Sequence, residues 1–268
     1  MSWGKLILAF FGATIFGSHS WAGSWNLEPG KGQIISTNVR DTATQAYNDD
    51  WELTDDVQFA KLESQIFWEH GISKKITVVG VTSLQDVDSN SRDGQEQKSS
   101  GFGNSSLGLR YQLGRNEKSA RAIQLSWIIA GSGENIPDAD LGRGSHGIEL
   151  RGLYGRNFKI GKRAGFLDIQ SAWIYRPGNN PNSFKQDVNL GFQLFDDLQI
   201  LTQAFYGKTN EEIIDTDIIL PNENIKLQAS VVQKRSEKRS IQFGYFETIA
   251  GRNIVKEKGV FAALWERY

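Results

Sequence analysis

The chain has 268 residues with no cysteine, 30 Lys and Arg against 31 Asp and Glu, and a polar mean hydropathy of −0.42. Near-neutral charge gives no reason to expect a nucleic-acid partner. The polar hydropathy excludes a bundle of membrane helices, and the lack of cysteine excludes a disulfide framework, a thiolate metal site and a lipid-modified thiol.

Residues 1–22 read as a secretory signal. Lys5 supplies the positive start, and Leu6 to Phe16 is an apolar run of eleven, too short to cross a bilayer as a helix. Ser20-Trp21-Ala22 resembles a small-x-small cleavage site, so the mature chain is expected to begin near Gly23 and to form one domain over 23–268. No later stretch holds eighteen apolar residues in a row.

About twelve segments with period-2 alternation follow, with ten to fourteen as the range. The clearest runs from Val57 to Glu69, with Ala60, Leu62, Ile66 and Trp68 on one parity and Lys61, Glu63, Gln65 and Glu69 on the other. The same separation recurs at 107–113, 123–129, 148–154, 167–175, 187–194, 199–206, 226–231 and 241–245, and less cleanly near 33–40, 75–85 and 259–268. A soluble sandwich could alternate too. Segments of roughly 9–13 residues, however, match what a tilted strand needs to span a bilayer. Aromatics near segment ends (Trp68, Tyr111, Tyr154, Trp173, Tyr175, Tyr206, Tyr268) suit two interfacial girdles. The expected fold is an all-β, up-and-down antiparallel transmembrane barrel in a bacterial outer membrane. Lipid and lipopolysaccharide would be its neighbours, and assembly machinery would read its last strand, ending at Tyr268.

Short turns and longer connections alternate along the chain. Long loops are expected at 41–56, 86–100, 131–145, 176–183, 207–224 and 251–258, and turns at 70–74, 114–119, 159–163, 196–197 and 234–239. With periplasmic turns, charge divides between the rims. Asp41, Asp49, Asp50, Glu52, Asp55 and Asp56 crowd the first external loop, while Lys74, Lys75, Lys118, Lys162, Lys234 and Arg239 mark the turns. The acidic loop could concentrate cations at the mouth or hold divalent ions against lipopolysaccharide phosphates. Equally, it could only be solvated.

The polar parity supplies the candidate lumen-facing residues: Lys61, Glu63, Glu69, Arg110, Glu149, Arg151, Asp168, Asp187 and Lys226. They fit either a pore that selects by charge or a self-satisfied network filling a narrow barrel. No catalytic constellation is visible. His146, with Ser145 or Ser126 as a partner, lacks an acidic orienter and a nucleophile motif. No enzyme activity, cofactor or metal ligand is expected.

Two segments carry a resemblance. One is Trp68-Glu69-His70-Gly71-Ile72-Ser73-Lys74-Lys75-Ile76-Thr77-Val78. The other is Ser100-Gly101-Phe102-Gly103-Asn104, followed by Leu107-Gly108-Leu109-Arg110-Tyr111. In content, order and spacing they resemble outer-membrane barrels grouped as the "MetA-pathway of phenol degradation" family. Asn104 stands where that pattern has an acid, and Ala130-Gly131-Ser132-Gly133 lacks its proline. The resemblance implies an outer-membrane barrel that assists uptake of hydrophobic or aromatic compounds. It brings no catalytic residues. A channel is therefore the expected function, with a closed structural or surface-interaction barrel as the alternative.

Overall fold

The computed structural model describes residues 23–268 except 91–95, 132–144, 179, 211, 215–216 and 220; the expected signal segment lies outside the described residues. Strands dominate and no helix occurs among them. In chain order they are β1 (Gly32–Tyr47), β2 (Leu53–Ser73), β3 (Ile76–Asn90), β4 (Glu96–Phe102), β5 (Ser105–Arg115), β6 (Ser119–Ile129), β7 (Gly147–Ile160) and β8 (Arg163–Tyr175). They continue with β9 (Ser183–Gln193), β10 (Leu198–Thr209), β11 (Glu212–Ile214), β12 (Asp217–Ile219), β13 (Asn222–Lys234), β14 (Arg239–Arg252), β15 (Ile254–Val255) and β16 (Lys258–Arg267).

The main sheet closes on itself, with β1 paired to β2 on one side and to β16 on the other, all antiparallel. Strands β4 and β5 both pair with β3, through Leu84↔Phe102 and Val81↔Ser106, and make one interrupted stave. The short hairpin β11–β12 stands apart, and β15 adds two residues beside β1. The result is a closed twelve-stave barrel without a free edge along its main path, the form in which a sheet can satisfy its backbone in lipid.

The outward parity is apolar and exposed. Leu107, Leu109, Leu113, Leu125, Trp127, Leu150, Trp173, Phe243 and Val260 all face outward, and Trp127 keeps 57% of its surface accessible. In water such a continuous belt would aggregate; around a closed barrel it is the lipid contact. Short turns fit this end-to-end weave. Gly161, the first residue of the two-residue β7–β8 turn, sits at φ +61°, a conformation glycine adopts without strain.

Two expected loops are much shorter than anticipated. The first spans only 48–52, because β1 continues to Tyr47 and β2 starts at Leu53. Asp41 therefore lies in β1, buried in the interior, and Asp55 and Asp56 lie in the β2 backbone. In the second, Leu84–Asn90 pairs with Glu96–Phe102. Strand β2, with 21 residues at about 3.3 Å each and a tilt near 40°, rises roughly 50 Å against a hydrocarbon core of about 30 Å. Its hairpins thus extend past the bilayer, where the outward side chains are polar (Thr42, Thr44, Asp86, Asp88) while Ala43, Ala46, Val57 and Val255 pack inside.

Candidate functional site: the barrel lumen

At the short-turn end, the chain before β1 turns into the barrel. Gly23 O accepts from Arg110 Nη1 at 2.9 Å, and Ser24 donates from both its N and Oγ to Asp168 Oδ2, at 3.0 and 2.9 Å. Asn26 N donates to Gln112 Oε1 at 2.7 Å, while Arg115 reaches Asn26 O and Glu28 Oε1 at 3.1 and 2.7 Å. The segment is thus strapped from β5 to β8 across the lumen. Its passage needs small neighbours. A Cβ on Gly71 would lie 2.4 Å from Glu28 O, and one on Gly155 would lie 2.2 Å from the Trp25 ring.

Beside the strap, the inward side chains are apolar. Ile35, Phe67, Val79, Leu201, Val232, Ala263 and Trp265 form one buried cluster, with Val81 and Phe166 packed against it. Trp265 is 1% exposed, its Nε1 donating to Gln242 Oε1 at 3.1 Å. Below lies a vestibule of about 1120 Å³ lined by Trp25, Phe158, Phe166, Lys118, Glu237 and Arg267, among others. Trp25 of the strap and Phe166 and Val232 of the apolar cluster also line this vestibule.

The candidate lumen residues fall into three buried groups. Glu69 and Arg110 pair at 3.0 Å next to the strap, and Asp168 receives the strap together with Gln170 and Asn189. Further up, Lys61 lies 3.3 Å from Asp41 and 3.5 Å from Glu63, and Lys226 lies 2.6 Å from Glu257 with its ammonium 4.9 Å from the Phe246 ring. The third group, on β7 to β9, joins Arg151 to Glu149 at 2.8 Å and to Asp187 at 2.7 Å. In the ring order, β8 stands six staves from β1, so the second and third groups occupy largely opposite walls.

Charge is unequal on these walls. Asp41, Glu63 and Glu257 face two ammonium groups, Lys61 and Lys226, an excess of one carboxylate. Glu149 and Asp187 face Arg151, Lys185 and Arg176, an excess of one cation. Burial pushes the Arg176 guanidinium, in the connection after β8, down to about 10, with Glu149 opposing that shift; it stays charged at neutral pH.

Several members of these groups escape sequence reasoning. Lys185 shares the parity of Asp187 and was within reach of the alternation; Asp41, Glu257 and Arg176 sit in segments read as loops. The strap has no period to betray it. The external acids are dispersed. Asp49 pairs with Arg252 at 2.7 Å and accepts from Asn253 Nδ2 at 3.0 Å, Asp50 and Glu52 are exposed, and the Asp55 and Asp56 side chains lie outside what is described. His146 stands 6.2 Å from Trp127, its Nδ1 accepting from Ala130 N at 3.4 Å.

Neither a family model nor a curated protein matches the sequence. Solved structures do match. Over 94% of this chain and 100% of the other, the COG4313 outer membrane channel from Pseudomonas putida F1 superposes with a TM-score of 0.78 at 14% identity. The fold is that of an outer-membrane β-barrel. The translocator domain of the autotransporter NalP from Neisseria meningitidis matches at TM-score 0.56 and 11% identity, covering 90% of each chain. The KdgM porin matches at 0.51 and 7%, over 87% of this chain and 98% of its own. At these identities the likeness speaks for the fold alone.

Proposed function

We propose that this barrel is an outer-membrane channel for small solutes, narrowed at its periplasmic end. The observation that carries the reading is the layered interior of the described barrel: charged groups in its upper part, and a strap and an apolar cluster beside a vestibule at the short-turn end. A polar path that stops at one removable layer suits a gate, since apolar constrictions close by excluding water. The end-to-end match to a protein described as an outer membrane channel supports the same reading. Hydrophobic or aromatic compounds, the cargo implied by the phenol-degradation resemblance, belong to this proposal as one solute class. So do contact with lipopolysaccharide and recognition of β16 by barrel-assembly machinery.

A second reading, a closed barrel acting structurally or through its loops, draws on the near-complete burial of the apolar cluster. Planar-bilayer recordings and liposome swelling separate the two. The channel reading expects discrete conductance steps and solute flux; silence in both assays, with folded protein present, would establish the closed barrel instead.

A further inference from the structure

The upper part of the wall formed by β7 to β9, beyond Asp168, holds three cations, Arg151, Arg176 and Lys185, against two carboxylates, Glu149 and Asp187. Glu149 and Asp187 are both held by Arg151, whose Nε and Nη2 take Glu149 at 2.8 and 3.3 Å and whose Nη1 takes Asp187 at 2.7 Å. Among the described residues, no carboxylate lies within ion-pair distance of Arg176 or Lys185.

Arg176 is 4% exposed. Its Nη1 donates to Pro181 O and to Ser183 Oγ, both at 2.9 Å, but its Nε is buried with no partner. A buried donor left unmade costs about 1–3 kcal/mol, more when charged. Lys185 follows two residues after Ser183 on the same inward face of β9, about 7 Å along the strand. Its register neighbours are Ala172 on β8 and Gly207 on β10, neither of which has a side-chain acceptor of its own; the Asn224 carboxamide stands 3.3 Å from where a Gly207 Cβ would lie. The two cations thus belong to one inward-facing group whose net charge is one.

We propose that Arg176 and Lys185 form a binding subsite for a small monovalent carboxylate. A single carboxylate matches the single uncompensated charge. Guanidinium and ammonium are both charged donors to a carboxylate. Charge-assisted bonds of this kind are the strong ones in a desolvated site. The subsite rests on the channel reading only for how the anion arrives; binding itself is measured without transport.

The test is equilibrium dialysis of the whole folded barrel in detergent at low ionic strength against radiolabelled butyrate, with butyramide as the uncharged analogue. Wild type is expected to retain butyrate over butyramide. Arg176→Gln and Lys185→Gln should each weaken butyrate binding by about tenfold, the loss of one charged hydrogen bond. Lys208→Gln, an exposed residue paired with Glu223 outside this group, should leave binding unchanged. Equal retention of the two probes by wild type, or unaltered butyrate affinity in the variants, overturns the subsite. Should Arg176→Gln fail to fold, Lys185→Gln decides alone, because that lysine makes no hydrogen bond within the described fold. A barrel that conducts without binding butyrate loses the subsite and keeps the channel. One that binds without conducting keeps the subsite and loses the channel.

Discussion

Asp49 shows how a charge that looks free in a sequence can be engaged in the fold. Asn48 turns the first loop by accepting from the N–H groups of Asp50 and Glu52, both at 2.9 Å, which aims Asp49 at the last connection. There Asn253, in a left-handed conformation at φ 50°, and Arg252 both donate to Asp49, and they hold its carboxyl below the ordinary value of 3.8. A depressed folded pKa contributes stability above the ordinary value and loses it as pH falls through the lower folded one. The loop junction should therefore stay intact through mild acid and loosen only below pH 3.8. An NMR titration of the Asp49 carboxyl checks this; a midpoint at or above that value contradicts it. Inside the barrel the stakes are larger. Arg110→Ala leaves Glu69 buried without its cation, a change worth roughly 3–5 kcal/mol, while Glu69→Gln keeps a hydrogen-bonding group there. Urea unfolding in lipid should rank Arg110→Ala well below wild type and Glu69→Gln between them.

The strap is the element whose removal reports most. Deleting residues 23–28 should raise single-channel conductance severalfold with the barrel intact. Gly155→Val should do the same without deletion, because a side chain there occupies the place of the Trp25 ring. If both variants keep wild-type conductance, the strap does not limit passage. The strands themselves were legible. Lipid accepts only apolar side chains, so Leu107 to Leu113 and Ile123 to Ile129 announce their outward parity. The inward parity is less constrained. Phe67 sits between Ile66 and Trp68, giving an apolar triplet in which no alternation shows that one member faces inside. Where β1, β2 and β3 rise past the bilayer, the outward parity turns polar (Thr42, Thr44, Asp86, Asp88) and the strands resemble loops. Hence the sequence-based loops at 41–56 and 86–100 are too long, and Asp41 was misplaced.

At the scale of the whole molecule, the barrel sorts its tryptophans by solvent. Trp127 and Trp173 lie half exposed in the belt, Trp265 is 1% exposed inside, and Trp25 borders the vestibule. In single-tryptophan variants reconstituted with brominated lipid, the first two should be strongly quenched and Trp25 and Trp265 should not. Quenching of Trp265 comparable to Trp127 would invert the assigned faces. The alternation offers these charges as one set on a shared parity, but not the ion-paired groups in which they stand. Which carboxylate meets which cation depends on the register around twelve staves, which no single strand encodes.

The unequal walls have a consequence of their own. In the upper lumen the group around Lys61 and Lys226 carries a spare carboxylate and the group around Arg151 a spare cation, so this part is polarised across its axis. Low-dielectric walls sustain such a field over a short gap, and salt with a Debye length of about 8 Å screens it only partly there. A molecule with positive and negative ends would lie crosswise, each end toward its complement, and would be sorted by the size and direction of its dipole. Two solutes of equal net charge could then differ in passage solely because one can align and the other cannot.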